Sequence, residues 1–161
     1  MLWILGIGTI GILVVEILRM RTPLVGKIFE FIFGKIVRVS EERSFTGATF
    51  TLIGSFVTIL IFEKEVAVVA LLILTTADSL AALVGVKWGK IPLLGKSAEG
   101  TATFFIIGIA IVFCFPELPR FPAVCGVITA TIIELLPSPI NDNLMIPITV
   151  AATISVGNLF V

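Results

Sequence analysis

Apolar residues run along this chain in long blocks rather than in alternation. The blocks are Leu2–Leu18, Thr46–Phe62, Val66–Val84, Thr101–Phe115, Phe121–Leu136 and Leu144–Val161, and together they contain three acidic residues and no basic one. Each approaches the ~17–25 residues that carry a helix across ~30 Å of hydrocarbon, the fourth and fifth being short. Continuous runs contradict the in–out alternation of membrane strands, so the pattern predicts helices rather than a barrel. Glycine, alanine, serine and threonine inside the runs let helix backbones approach one another in lipid. The expected fold is therefore all-α: one polytopic membrane domain over 1–161, with about six spans at 2–18, 46–62, 66–84, 101–115, 121–136 and 144–161.

The segment Leu24–Val37 has a different pattern. It is too short to span, and at 100° per residue Lys27, Glu30, Gly34, Lys35 and Arg38 share one side while apolar residues fill the rest. This predicts an amphipathic helix lying on the membrane surface, with Pro23 tolerated in its first turn.

Charge placement adds an orientation. Six basic residues lie between Arg19 and Arg43, one in Glu63–Glu65, three in Gly85–Gly100, one in Pro116–Arg120 and none in Pro137–Asn143. Nine of eleven then share a side, which the positive-inside rule places in the cytoplasm, with the N-terminus outside. The first segment lacks a charged leader region and a small-residue cleavage site, so an uncleaved anchor is expected. The setting is a prokaryotic plasma membrane or an ER-type membrane.

Composition narrows the function. Across 161 residues, 58% are apolar, 14% are charged, and eleven basic residues balance eleven acidic ones; mean hydropathy is +1.19. These values exclude a water-soluble globule, a disordered chain and a nucleic-acid binder with a basic face. The chain has no histidine, which removes His-ligated zinc and Ser-His triads.

The buried acids carry the candidate chemistry. Glu16, Asp78 and Glu134 fall inside apolar runs, where an ionisable group is costly and faces a polar cavity or a partner. For Glu16 two readings stay open: such a cavity, or a structural pair with Arg19. Asp78 heads a small-residue face of Ser79, Ala81, Ala82 and Gly85. The segment Gly85-Val-Lys-Trp-Gly-Lys90, and then Gly95-Lys-Ser-Ala-Glu-Gly100 before the next run, supplies glycines, lysines and a helix N-terminus, which together attract phosphate. The last connection carries Asn141, Asp142 and Asn143 but no lysine or arginine. Asp78 and Asp142 are candidate oxygen ligands for Mg²⁺, which takes one or two carboxylates plus substrate phosphates.

Two patterns are decoys. Gly6-Ile-Gly-Thr-Ile-Gly11 matches a dinucleotide fingerprint but lies inside an apolar run without a preceding strand, so helix packing accounts for it. Gly89–Ser97 resembles a phosphate loop, but its glycines are one residue too far apart and Pro92 interrupts it. Cys114 and Cys125 lie near the outer ends of adjacent spans; a disulfide is conceivable, and they are expected as small apolar residues without metal spacing.

Taken together, Asp78-Ser-Leu-Ala-Ala-Leu-Val-Gly, the Gly89-Lys90 pair, Gly95-Lys-Ser-Ala-Glu-Gly-Thr and Glu134…Asn141-Asp-Asn-Leu-Met-Ile-Pro resemble the CTP-dependent lipid kinases (dolichol, phytol and CTP-dependent diacylglycerol kinases). Glu16-xx-Arg19 and Arg38-xx-Glu41 before Thr46-Gly-Ala are weaker marks of the same likeness. One departure is Ala77, where those kinases usually have glycine. The resemblance implies transfer of the γ-phosphate of CTP to the hydroxyl of a membrane lipid alcohol (polyprenol, phytol or diacylglycerol type).

On that reading Lys96, Ser97 and the amides of Gly95–Gly100 hold the triphosphate with help from Lys87, Lys90, Gly85 and Gly89. Asp78 and Asp142 hold Mg²⁺, Glu99 orients Lys96 or the metal's waters, and Asn141 and Asn143 bind nucleotide or phosphate oxygens. Asp142 or Glu134 takes the hydroxyl proton. Phosphatidate cytidylyltransferases share a similar lysine-then-Glu-Gly element, but their Ser-Pro-Lys-Lys-Thr run and late His-Gly-Gly segment are missing here. The alternatives are a CTP:lipid cytidylyltransferase and a small transporter. A homodimer stays open, because small-residue helix faces serve both internal packing and association.

Overall fold

The computed structural model describes residues 2–34, 37, 41 and 44–161. Helices form where the apolar blocks lie: α1 (Leu2–Arg21), α3 (Gly47–Ile61), α4 (Lys64–Leu72) continuing into α5 (Ser79–Trp88), α6 (Ala98–Phe113), α7 (Arg120–Leu135) and α8 (Asp142–Asn158). Between α4 and α5 the backbone widens into a π-turn over Ile73–Asp78 without breaking the helix. Two helices are long and apolar enough to cross a membrane, Leu2–Arg21 and the 25-residue Lys64–Trp88. The other four have 15 to 17 residues, or about 22–26 Å at 1.5 Å per residue.

Helix α2 (Pro23–Phe33) matches the expected surface helix but ends earlier, with Gly34 following its last turn. Lys35 and Arg38, assigned to its polar side, lie outside the described residues. None of its residues is buried and Phe31 is 92% exposed. Besides the π-turn, the apolar pattern did not predict a hairpin of β1 (Pro92–Leu93) and β2 (Lys96–Ser97), paired antiparallel with Leu93 opposite Lys96.

The apolar core lies where α4, the π-turn, α6, α7 and α8 meet, around Val69, Ile73, Phe104, Val127, Ile146 and Ile154. Helix α1 is inverted relative to a helix of a water-soluble protein. It buries Thr9 and Glu16 and exposes Trp3, Ile4, Ile7 and Ile10. Helix α3 likewise buries Thr49, Gly54 and Thr58 and exposes Leu60 and Ile61. Polar and small groups turned inward with large apolar groups turned outward suit lipid, where burying leucine against leucine gains nothing and close backbone packing does.

The glycines of the first decoy divide. Gly6 packs on Phe56, whereas a Cβ at Gly8 or Gly11 would meet nothing. Cys114 and Cys125 are both free thiols.

Candidate functional site

The end of the long helix, the hairpin and the N-termini of α3, α6 and α8 surround a cavity of about 1640 Å³. Its lining includes the polar residues Asp78, Lys90, Lys96, Glu134, Asp142 and Asn143, and the aromatic residues Phe29 of α2, Phe45 just before α3 and Phe50 of α3. Asp78 is the last residue of the π-turn. A π-turn inserts one residue into the helical register, which re-aims the side chains that follow it; such turns are frequent at functional sites. Ala81, Ala82 and Gly85 line the cavity beyond it.

Lys96 is carried in by the hairpin. The turn residues Leu94 and Gly95 have φ of 49° and 90°, the left-handed pair of a two-residue type I′ turn. From β2 the Lys96 ammonium lies 2.9 Å from Glu134 Oε1 and 2.9 Å from Asp142 Oδ2, and it also donates to the Glu134 carbonyl. The Thr101 hydroxyl donates to Glu134 Oε2 at 3.3 Å. Burial works to lower the Lys96 pKa, but hydrogen bonds and charge from Glu134 and Asp142 outweigh it and hold the ammonium above its ordinary value. Lys96 is thus a permanent cation at neutral pH.

Three helix N-termini line this one cavity: Thr46 and Gly47 of α3, Ser97 of α6, and Asn141–Asn143 of α8. The partial positive charge at each favours an anionic ligand. Ser97 and Asn141 are themselves N-caps: Ser97 Oγ accepts from the Gly100 N–H at 3.1 Å and Asn141 Oδ1 accepts from the Asn143 N–H at 3.0 Å. The Asn143 amide donates to the Gly47 carbonyl at 3.1 Å.

The glycines expected to approach phosphate have a packing duty first. A Cβ on Gly89 would sit 2.3 Å from the Gly85 carbonyl oxygen and 2.7 Å from Ser97 Cβ, and one on Gly100 would sit 3.0 Å from the Ala81 carbonyl oxygen. Gly85, Gly89 and Gly100 let α5 and α6 close around Ser97. Gly89→Ala should therefore lower unfolding free energy by about 1–3 kcal/mol through overpacking. Gly95 has open space, so Gly95→Ala pays only the left-handed backbone cost of about 1 kcal/mol. Thermal unfolding in detergent orders the two.

Two expected site residues are placed elsewhere. The Lys87 ammonium lies over the Trp88 ring, 4.6 Å from its centroid, and is outside the cavity lining. Glu99 accepts the backbone N–H groups of Lys90 at 3.0 Å and Ile91 at 3.3 Å, so it braces the turn into the hairpin instead of orienting Lys96. For Glu16 both readings hold: it lines the cavity and is paired with Arg19, whose guanidinium donates to Glu16 Oε2, while the same carboxylate accepts from Thr46 and Thr49. The contribution of Thr46, Gly47 and Glu41 to the cavity wall was not assigned to the site from sequence; their signal was the Thr46-Gly-Ala run ahead of an apolar block.

Among the described residues no three acidic, histidine or cysteine side chains group to hold a metal by themselves. Two carboxylates on one cavity, Asp78 and Asp142, nevertheless suit Mg²⁺, which commonly completes its shell with water and substrate phosphates.

No protein-family model matches the chain, and no solved structure does. Among curated proteins, the chain is 33% identical to the uncharacterised protein RP860 of Rickettsia prowazekii over 85% of this chain and 72% of that protein. It is 28% identical to CTP-dependent diacylglycerol kinase 1 of Schizosaccharomyces pombe, over 92% of this chain and 77% of the kinase. It is 26% identical to CTP-dependent diacylglycerol kinase 1 of Eremothecium gossypii, over 64% of this chain and 33% of the kinase. The chain therefore belongs to the family of the Rickettsia protein and is a homologue of the CTP-dependent diacylglycerol kinases.

Proposed function

We propose that the protein is a membrane-embedded lipid kinase that transfers the γ-phosphate of CTP to a lipid alcohol. The observation that carries this reading is a single cavity lined both by lysines, carboxylates and three helix N-termini and by aromatic and apolar side chains such as Phe29, Phe45 and Phe50. A nucleotide triphosphate suits the first set of groups and a lipid chain the second. The relatives named as diacylglycerol kinases make diacylglycerol the first acceptor to try, ahead of polyprenols and phytol. Six spans with an outer N-terminus would put the side rich in lysine and arginine, and with it this cavity, in the cytoplasm.

The reaction is a positioning and charge problem. The acceptor oxygen forms a bond to the γ-phosphorus, the bond to the β–γ bridging oxygen breaks, and CDP leaves. Lys96, Lys90 and the N-termini of α6 and α8 hold phosphate oxygens; Ser97 and Asn141 keep those N-termini formed. Asp78 and Asp142 hold Mg²⁺, which when bound screens phosphate charge and polarises the γ-phosphoryl group. The hydroxyl proton passes to Asp142 or Glu134, whose side chains are 31% and 7% exposed.

The competing cytidylyltransferase attacks the α-phosphorus and releases pyrophosphate. Proteoliposomes containing diacylglycerol, polyprenol or phytol, or phosphatidate as the lipid phosphate that a CDP-lipid synthase needs, supplied with CTP labelled at α or at γ, separate the two. Label from γ in the lipid is the expected result. Label from α with pyrophosphate release overturns the kinase, and transport without transfer of either label overturns both enzymes.

A further inference from the structure

The buried Glu16–Arg19 pair lies on α1, with Glu16 on the wall of the same cavity as the lysine and carboxylates of the transfer site, and hydrogen bonds linked through adjacent residues join the two. Glu16 Oε1 accepts from the Thr46 N–H at 3.2 Å and from the Thr49 hydroxyl at 2.9 Å, and from the Thr46 hydroxyl. It therefore grips the first turn of α3 from both backbone and side chain. Arg19, bound to the other oxygen, donates to the Glu41 carbonyl at 3.0 Å and to the Ser44 carbonyl, and its guanidinium lies 4.6 Å from the Phe29 ring centroid. One ion pair thus ties α1, α2, the segment before α3 and α3 itself.

The next link is Gly47. Its N–H donates to Glu41 Oε1 at 3.0 Å and its carbonyl accepts from Asn143 Nδ2 at 3.1 Å. Asn143 adjoins Asp142, which pairs with Lys96. The contact between α3 and α8 is close throughout this stretch: a Cβ on Gly54 would sit 2.8 Å from the Asn143 carbonyl oxygen and 3.3 Å from Leu144 Cα. Helix α8 cannot shift relative to α3 without breaking these contacts, so wherever α3 begins, Asp142 follows.

We propose that Glu16 and Arg19 are positioning residues: by fixing the first turn of α3 they hold Gly47 against Asn143 and so set Asp142 opposite Lys96. The proposal rests on the reading of Asp142 as part of the phosphoryl-transfer site. The pair touches no reacting atom, and its buried charge is matched by four donors, so it costs less than an isolated charge in a membrane helix would. Arginine is required over lysine because the fork must reach Glu16, Glu41 and Ser44 together.

A double-mutant cycle tests the coupling. Glu16→Gln and Asn143→Ala should each raise KM for CTP about tenfold, and the double variant should show about tenfold rather than the hundredfold of independent sites. Arg19→Lys should not rescue. Amide hydrogen exchange in nanodiscs gives a second readout that needs no activity. Glu16→Gln should speed exchange at least fivefold in 44–50 and also in 141–147, leaving 100–112 unchanged. If Glu16→Gln does not fold, Thr49→Val, which removes one of the four donors, carries the same test. Hundredfold additivity, or faster exchange confined to 44–50, overturns the positioning role. Coupled exchange in a chain without CTP-dependent activity overturns the kinase reading alone and upholds the positioning.

Discussion

Replacing Lys96 with alanine should abolish lipid phosphorylation, with kcat/KM falling at least a thousandfold, and should also destabilise the fold. The two effects have separate causes. Lys96 carries the cation closest to both site carboxylates, at 2.9 Å from each, and phosphoryl transfer depends on such fixed charge. Its removal also leaves Glu134, which is only 7% exposed, without a counter-charge. Breaking a fully buried pair costs about 3–5 kcal/mol; Lys96 is 33% exposed, so about 2–3 kcal/mol is expected here. Adding Glu134→Gln to Lys96→Ala removes the orphaned charge and should restore most of the thermal stability without restoring activity. Activity recovered along with stability would mean that Lys96 serves the fold alone. Lys96 stays protonated well above neutrality, so loss of the ion pair with rising pH should begin only above the ordinary lysine value of 10.5.

Divalent metal should be required for nucleotide binding and not only for turnover. Glu16 lines the cavity with its charge matched by Arg19. The same lining carries the carboxylates of Asp78, Glu134 and Asp142. A triphosphate adds negative charge beside these carboxylates, and helix N-termini supply only about half a charge each. Mg²⁺ between nucleotide and carboxylates removes that conflict. At a hundred times its dissociation constant, CTP with Mg²⁺ should stabilise the protein by about 2.7 kcal/mol, and EDTA should remove all of it. Asp78→Asn should raise the Mg²⁺ concentration needed for half-maximal activity at least tenfold. Equal stabilisation by CTP in EDTA would show that the protein balances the charge without metal.

Much of this site is legible from residue order because it depends on long apolar runs and on chemistry confined to their ends. Asp78, Lys96, Glu134 and Asp142 come from four separate segments, yet each lies at or near the same end of a helix-length block, so packing the blocks brings them together. Other features depend on backbone detail that periodicity does not encode. The hairpin has strands of two residues, too short to alternate, and its turn is Leu94-Gly95 rather than the Asn-Gly that signals a type I′ turn. The π-turn before Asp78 changes register inside an uninterrupted apolar run. Lys87 and Glu99 have the right residue types at the right spacing, but one stacks on its neighbour Trp88 and the other satisfies two backbone amides. The grip of Glu16 on Thr46 spans 30 residues of sequence, and only the fold shows that it continues through Gly47 to Asn143.

On the proposed reading, one cavity brings a cytoplasmic nucleotide to a lipid hydroxyl. A structure in nanodiscs with Mg²⁺ and a non-hydrolysable CTP analogue tests this without relying on turnover. The triphosphate should lie at the N-termini of α6 and α8, in contact with Lys96. The metal should sit between Asp78, Asp142 and the phosphates, with the γ-phosphate facing Phe29, Phe45 and Phe50. A nucleotide bound outside this cavity, or one with its γ-phosphate turned away from those side chains, would contradict the proposal.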